Sequence, residues 1–274
     1  MYSGSTLSNY SGRLLGAHQK IDRAARRQLD RLVPQGRFPD IKSILHFEGN
    51  NGPDAIKRKS PARDEPWHYV QPFDHQDTQL IDLIENHHGQ LVTALKTNDD
   101  VRAAFEAAWL AHAIVDGLTP AHHYPYEEKL VELSSGRGIE SRTTIGKKLI
   151  MPGTNVAHRV SNNWQMWGPK GLFITHASFE MGVAMLIAPS KIKRAHPSSH
   201  DLAKLHSQAL SDWFRDQAQS IASLELYNRF YKSGWTIPLA RHVRHELAPA
   251  LVKAVAMVWY DAARQAGLPA AGQA

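Results

Sequence analysis

The chain has 274 residues, 42% of them hydrophobic and 21% charged, which is enough for one substantial core and compatible with one or two domains. It contains no cysteine, so disulfides and thiolate chemistry are excluded and any metal site must use nitrogen and oxygen donors. The formal net charge of +6 is compatible with anionic partners such as lipid headgroups or nucleic acid, although a charge of this size more often serves solubility.

Neither a membrane-spanning segment nor a signal peptide is expected from the sequence. No apolar run approaches the roughly 18 residues that a membrane-spanning helix needs, so no transmembrane segment is expected. Residues 1–10 have neither a basic region nor an apolar stretch, so no signal peptide is expected. The expected compartment is therefore cytoplasmic by default, with secretion as the alternative.

The apolar spacing predicts an all-α protein, because little of the chain alternates with a period of two. The first helix is expected from Leu14 to Val33, followed by a long irregular segment over 34–73 that contains six prolines. A helix is expected from Asp74 to Thr97. Further helices are expected over 100–117 and 172–187, and two amphipathic ones near 199–226 and 238–265, with a frayed tail after Gly267.

Two histidine–acid pairs dominate the sequence. His112 and Asp116 are four residues apart in one predicted helix, and His176 and Glu180 repeat that spacing in another. Residues i and i+4 share a helix face, so each pair presents an imidazole and a carboxylate to one point. A turn after the first helix could return His122 to the same region. One such pair is common by chance, but both lie in apolar sequence, where a carboxylate is expensive to bury unless it is paired or binds a metal.

The order and spacing of eight residues resemble the ligand series of the bacterial zinc-dependent phospholipase C family, whose superfamily includes the fungal single-strand-specific nucleases. The residues are His18, Asp54, His68, His112, Asp116, His122, His176 and Glu180. The segment from His112 to His122 and the interval from Asp54 to His68 agree without a gap. The resemblance implies a single all-α domain over 1–274 of the phospholipase C / single-strand nuclease type, with long loops.

The resemblance also implies a site of two or three zinc ions. The first zinc would be bound by Asp54, His68, His112 and Asp116. The second would be bound by His122, His176 and Glu180. The third would use His18 and a bridging Asp116, but in the family an N-terminal tryptophan completes it. Here the first tryptophan is Trp67, so we expect the third ion to bind more weakly. Asp22 could substitute, although a solvated position is favoured for it.

Asp54 is also the candidate catalytic residue, since a carboxylate beside zinc could orient a water molecule and accept its proton. Glu48 and Asp64 are rivals for this position, but only Asp54 has the family spacing to His68. The family's choline pocket uses aromatic residues at the positions of Ala55 and Glu65, so choline specificity does not follow.

The interval between His122 and His176 is longer than in the lipases. We expect an inserted loop or subdomain at about 127–170, near the mouth of the site. Its basic residues include Arg137, Arg142, Lys147, Lys148 and Arg159. Three aromatic residues, Trp164, Trp167 and Phe173, either line a substrate face or seal the insertion.

The residues and the resemblance together predict a zinc-dependent hydrolase of phosphate esters and, within that class, a phospholipase C-like phosphodiesterase that uses metal-activated water. Expected partners are a phospholipid headgroup or another phosphodiester, with possible peripheral contact with an anionic membrane. One alternative is a single-strand nuclease-like phosphodiesterase with nucleic acid as substrate, because bases stack on aromatic residues and phosphates attract Lys and Arg. The other is a non-catalytic zinc-stabilised helical module, in which four protein ligands would close the coordination shell.

Overall fold

The computed structural model describes residues 1, 15–33, 37–49, 51–59, 66–138 and 141–269. Throughout these ranges the chain is helical with no strand, and it forms one multi-helix domain, which confirms the predicted all-α class. Asp64 and Glu65, which the sequence analysis considered, lie outside the described residues, as do Leu14, 34–36 and 270–274. No helix within the described ranges is both long and apolar enough to cross a membrane.

The described residues form fourteen α-helices. In chain order they are α1 (Ala17–Leu29), α2 (Ile41–Glu48), α3 (Pro53–Lys59), α4 (Gln79–Thr97), α5 (Asp100–Gly117), α6 (Tyr126–Leu133), α7 (Ile145–Leu149), α8 (Val156–Trp167), α9 (Leu172–Ile187), α10 (Ser199–His206), α11 (Leu210–Ala222), α12 (Leu226–Ser233), α13 (Ile237–His242) and α14 (Ala248–Gln265). A 3₁₀ turn, Pro120–His123, follows α5, and a π-helical turn, Val243–Leu247, joins α13 to α14.

Helix α5 lies at the centre of the molecule and packs on α1, α2, α4 and α14. Its buried face is rich in alanine, which lets neighbouring helices approach closely. Asn98 is left-handed, with φ of 54°, and ends α4, while the Asp99 side chain accepts a hydrogen bond from the Arg102 backbone N–H at 3.0 Å and caps α5. This two-residue turn makes α4 and α5 an antiparallel pair.

Gly117 ends α5 at a crowded position. A Cβ atom there would lie 2.5 Å from Cζ of Phe214 and 2.7 Å from a methyl group of Leu80. Glycine therefore lets α5 end against α4 and α11 without displacing either buried side chain. This contact fixes the helix end immediately after Asp116.

The segment 34–73 is more helical than the sequence analysis expected. Asp40 caps α2 by accepting hydrogen bonds from the Lys42 and Ser43 backbone N–H groups at 2.8 and 3.0 Å. Pro53 begins α3, where its missing N–H has no helical partner to lose. Asp54 is consequently presented by the first turn of a helix and not by a loop. His68 does come from a segment without regular structure.

The region predicted as an insertion contains α6, α7 and α8. A small second hydrophobic core holds it together, formed by Tyr126, Leu130, Leu133, Met151 and Met166. Asn162 is buried beside this core and donates hydrogen bonds to the carbonyls of Leu133 and Pro152 at 2.9 and 2.8 Å. The region is thus a packed helical unit, which lies against α9 through α8.

The two predicted C-terminal helices differ in continuity. The one expected over 199–226 is divided into α10 and α11, while the one expected over 238–265 is nearly continuous across α13, the π-helical turn and α14. Pro249 lies in the first turn of α14. Because proline has no N–H to donate, the hydrogen-bond ladder widens into the π-helical turn just before it.

Candidate metal centre

The first part of the candidate site lies between α1 and α5. The imidazole rings of His18 and His112 stack in parallel, with centroids 3.9 Å apart. Nε2 of His18 lies 3.1 Å from Oδ1 of Asp116, and Nε2 of His112 lies 3.1 Å from Oδ2 of the same carboxylate. All three side chains are buried. The Asp116 carboxylate is therefore faced by one imidazole nitrogen at each oxygen.

Glu48, at the end of α2, lies on the other edge of the His112 ring. Its two oxygens are 3.1 and 3.2 Å from Nδ1 of His112, and one is 4.0 Å from Nδ1 of His18. Asp54 lies on the Asp116 side, with Oδ1 3.8 Å from Nε2 of His112. The sequence analysis preferred Asp54 to Glu48, whereas the structure places both at His112. Glu48 therefore joins the candidate site.

Sequence reasoning considered Glu48 as a rival to Asp54 and set it aside, because Glu48 has no place in the family spacing. A signal was nevertheless present in α2, where Glu48 is four residues after the fully buried Ile44 and so shares its apolar face. An acidic residue on the apolar face of an amphipathic helix is expensive to bury without a partner.

The second part of the site joins the 3₁₀ turn to α9. Nε2 of His122 is 2.8 Å from Oε1 of Glu180, and Nε2 of His176 is 3.2 Å from the same oxygen. The two imidazole rings stack with centroids 5.0 Å apart. Nδ1 of His122 donates to the backbone carbonyl of Asp116 at 3.0 Å, which ties this group directly to the first.

The two parts face each other across one buried region. The amino group of Met1 contacts the carboxylate of Asp116 and lies 3.2 Å from Oε1 of Glu180. An ammonium thus occupies the space between the acidic members of the two predicted pairs. This contact shows that the space between Asp116 and Glu180 accommodates a positive charge.

His68 lies beside the second part of the site. Its ring centroid is 5.1 Å from that of His122 and 4.3 Å from that of Tyr69, and its Nδ1 donates to the Pro66 carbonyl at 3.0 Å. The resemblance implied that His68 joins Asp54 and His112. The segment 66–71 runs alongside the 3₁₀ turn, with the Val70 N–H donating to the His122 carbonyl at 3.1 Å, and this brings the His68 ring beside that of His122.

Asp22 corrects a further expectation. It lies one helical turn after His18 on α1 and is buried, where the sequence analysis favoured a solvated position. Burial raises the pKa of the Asp22 carboxyl well above its usual value, and the nearby charge of Glu48 raises it further. Asp22 therefore lies on the Glu48 side of the site.

The site shifts the pKa values of its members in opposite directions. Burial lowers the pKa of His112, but the charges of Glu48 and Asp116 outweigh burial and raise it to about 10. Burial lowers the pKa of His122 to about 4, against the raising effect of Asp116. Burial raises the pKa of Asp116, yet the Met1 ammonium and His122 outweigh burial and hold it well below its usual range. These shifts favour the ionised form of Asp116, the protonated form of His112 and the neutral form of His122.

The pKa of Glu180 follows the same logic as that of Asp116. Burial raises it, but the Met1 ammonium and His176 outweigh burial and hold the pKa well below the usual range. Both carboxylates are thus ionised at neutral pH, as metal ligands must be.

Three histidines share an arrangement that is typical of metal ligands. His68, His112 and His122 each direct Nδ1 at an oxygen acceptor, supplied by the Pro66 carbonyl, the Glu48 carboxylate and the Asp116 carbonyl. An imidazole fixed through Nδ1 presents Nε2 as the donor for a metal. For His112 and His122, that nitrogen points at Asp116 and Glu180.

The donor atoms fit a metal ion better than they fit one another. Several buried atoms have no hydrogen-bond partner within the described part of the chain: Nδ1 and Nε2 of His18, Nε2 of His112, Oδ2 of Asp116 and Nδ1 of His176. Two ligands of one tetrahedral zinc are separated by about 3.4 Å, close to the 3.1 Å between Nε2 of His112 and Asp116. A buried polar atom without a hydrogen-bond partner destabilises the folded state, and coordination of a shared cation would remove that destabilisation.

Two groups of residues could therefore hold a metal ion. One is His18, Glu48 and His112, and the other is His122, His176 and Glu180, with donor atoms within 4.8 Å of one another in each group. In the first group we favour the Nε2 side, facing Asp116 and Asp54, because Nδ1 of His112 is already bonded to Glu48.

Two tyrosines line the second part of the site. The rings of Tyr69 and Tyr126 stack with centroids 5.2 Å apart, and each lies near His176, at 6.1 and 5.5 Å. The sequence analysis did not single them out, although both are close in sequence to predicted ligands. They form an aromatic wall beside His122 and His176.

Comparison with known proteins adds no family assignment: no protein-family model matches the chain, and no curated protein sequence matches it significantly.

Proposed function

We propose that this protein is a zinc-dependent hydrolase of phosphate esters, with a phospholipase C-like phosphodiesterase as the specific form. The observation that supports it is the convergence of the two histidine–acid pairs. Asp116 and Glu180, from helices far apart in the chain, both contact the Met1 amino group, and each is faced by imidazole nitrogens. Had the pairs faced opposite sides of the molecule, the proposal would have no basis.

We assign the ligands as follows. One zinc would be bound by Nε2 of His112 and by the carboxylates of Asp116 and Asp54. Glu48 would orient the His112 ring. A second would use His122, His176 and Glu180, with His68 nearby. A third would use His18 and the second oxygen of Asp116, beside the Met1 amino group, and because the chain lacks the family's tryptophan ligand we expect it to exchange most readily of the three. When bound, zinc ions make coordinated water more acidic and neutralise charge on a phosphoryl group.

Asp54 is the residue that we assign to proton transfer. Its side chain is on the first turn of α3, beside His112 but retaining slight exposure, unlike Asp116 and Glu48. A carboxylate in this position can orient the attacking water and accept its proton. Tyr69 and Tyr126 would line the side of the substrate site that is formed by the second part of the centre, beside His176.

A nuclease-like activity is the second candidate, and one observation favours it. Trp164 is 68% exposed, and the exposed basic residues Arg159 and Lys170 occur in the same region. Bases stack on exposed aromatic rings, and a basic surface attracts phosphates. A non-catalytic zinc-stabilised module is the third candidate.

Metal analysis and parallel turnover assays test these candidates. The purified protein should contain at least two zinc ions, lose activity on chelation and regain it when zinc is restored. Phosphatidylcholine, single-stranded DNA and a soluble chromogenic phosphodiester are the substrates to compare. Zinc without turnover of any phosphodiester would favour the structural module, and absence of bound zinc would contradict the proposal.

A matched pair of variants controls the experiment. His176→Ala should remove one tightly bound zinc and most activity, because His176 is one of few donors in its group. His245→Ala removes an exposed histidine from the π-helical turn and should leave both properties unchanged. Equal behaviour of the two variants would contradict the assigned ligand set.

A further inference from the structure

The net positive charge of this chain is concentrated in one segment. Residues 141–200 contain eight Lys and Arg residues and a single acidic residue, Glu180. Their formal net charge of +7 exceeds the +6 of the whole chain, so the remainder is close to neutral. Glu180 contacts His122 and His176 inside the metal centre and does not offset the charge at the surface. Five of the eight basic residues precede α9 and the other three follow it, so the sequence around α8 is basic and contains no acidic residue between 141 and 171.

Helix α8, within this segment, exposes its apolar face. Val156, Val160 and Trp164 follow one another at four-residue intervals and are 69%, 64% and 68% exposed. The opposite face packs inward through Asn162 and Met166. A surface helix of a globular protein normally turns its apolar stripe to the core. Here that stripe faces outward.

The exposed face continues onto the neighbouring elements. The Trp167 indole N–H donates to the Leu149 carbonyl at 2.8 Å, which places α8 against the end of α7, where Leu149 and Ile150 are exposed. The Trp167 ring is also 4.8 Å from the ring of Phe173, in the first turn of α9. We call the five exposed residues Leu149, Ile150, Val156, Val160 and Trp164 the α8 patch.

The α8 patch is linked to the helix that carries His176 through Trp167 and Phe173. Phe173, which packs on Trp167, precedes His176 by three residues on α9, about 4.5 Å along the helix axis. A surface that contacts the α8 patch would therefore lie near the start of α9, the helix that carries His176. Contiguous exposed apolar residues of this kind mark an interaction surface.

We propose that the α8 patch and the basic residues around it dock the protein on an anionic lipid surface. Aliphatic side chains gain free energy by entering the headgroup–acyl boundary, and flanking Lys and Arg residues are attracted to anionic headgroups. Lys147, Arg159 and Lys170 are exposed in the same segment. A nucleic acid is a poorer fit, because four of the five patch residues are aliphatic and cannot stack on bases.

This inference deepens the proposed function, since docking would bring a lipid phosphodiester to the metal centre, but its test does not require turnover. The full chain, both zinc-loaded and treated with chelator so that vesicles stay intact, is sedimented with vesicles of phosphatidylcholine alone or mixed with phosphatidylglycerol. We expect stronger binding to the anionic vesicles, weakened by salt. Val160→Ser with Trp164→Ser should reduce the partition coefficient by about tenfold or more.

Charge and position are tested by further double variants. Arg159→Gln with Lys170→Gln should weaken binding to anionic vesicles and flatten its salt dependence. Val101→Ser with Ile237→Ser is the matched control, because these residues are 70% and 72% exposed but lie on α5 and α13. Val101 is about 22 Å along α5 from Asp116, so this control variant should bind anionic vesicles as the wild type does.

The outcomes separate the docking proposal from the proposed function. Failure of the wild-type protein to bind anionic vesicles, both zinc-loaded and after chelation with its helical circular dichroism retained, overturns docking, whatever the zinc assays show. Vesicle binding without phosphodiester turnover supports docking and contradicts the enzyme. Binding of single-stranded DNA in place of vesicles, or a dimer in light scattering that the patch variant abolishes, assigns the patch to another occupant.

Discussion

Asp116→Asn is the substitution that tests the proposed site most directly. The amide preserves the size of the side chain but removes its charge and replaces one oxygen with an NH₂ group, which cannot bind a cation. In the structure, each oxygen of Asp116 faces one imidazole nitrogen at 3.1 Å, from His18 and His112. The single oxygen of the amide can bind a metal ion at only one of those two positions, so at least one metal ion should be lost.

The size of the effect on stability follows from burial. Asp116 is fully buried and pairs with the Met1 ammonium, with His18 and with His112. Removing one member of a buried ion pair destabilises a protein by about 3–5 kcal/mol, because the remaining charges lose their partner. At about 2–4 °C per kcal/mol, the metal-free variant should melt roughly 6–20 °C below the metal-free wild type. Activity should fall by more than about 100-fold.

Asp261→Asn is a matched control for this experiment. Asp261 is also a buried helical aspartate, with Oδ2 3.1 Å from Nε2 of His88, but it lies on α14 and accepts hydrogen bonds from Arg264 and Gln265. The control should lose stability and keep its zinc. Zinc is counted by elemental analysis after dialysis, and stability by thermal unfolding with and without chelator. An Asp116→Asn protein with wild-type zinc content and activity would refute the assignment of Asp116 as a shared ligand.

Three further predictions concern individual members of the site. Asp54→Asn should lower turnover of a soluble phosphodiester by about 10²–10⁴-fold and keep at least one zinc ion, and unchanged turnover would exclude Asp54 as the base. Glu48→Gln should weaken zinc binding by about 10–100-fold in a chelator competition, whereas Glu106→Gln, which alters a second buried Glu–His pair, should not. In the metal-free protein the pKa of His112 is raised to about 10, so its stabilising charge is fully present below about pH 6.5 and lost as the pH rises. The unfolding free energy of chelated protein should fall between pH 7 and 10, and a flat profile would contradict this.

The sequence predicted the fold best where helix signals were strong and local. Helix α9 has the predicted bounds, 172–187, and α5 begins at the predicted cap. The segment 34–73 was predicted wrongly because its prolines were taken as helix breakers. In the structure Pro53 occupies the first position of a helix, where proline is favoured, and Asp40 supplies a cap for another.

The candidate site was predictable where spacing determines geometry. Within a helix, four-residue spacing alone placed His112 beside Asp116 and His176 beside Glu180. Glu48 and Asp22 could not be assigned in this way, because their burial depends on how α1 and α2 pack against α5. His68 lies in a segment without regular structure, so spacing gave no information on which part of the site it would approach.

The positions of the proposed ligands have a consequence for folding. His18 is on the first helix and Glu180 on the ninth, and the chain has no cysteine with which to link them covalently. A metal cluster shared by these residues would act as a non-covalent cross-link that closes most of the chain into loops. The entropy of loop closure grows slowly with length, so tying together such distant residues is only modestly more expensive than tying near ones. Metal loading would then be a late step in folding, possible only after α1, α5 and α9 have assembled, and its free energy would stabilise the assembled protein.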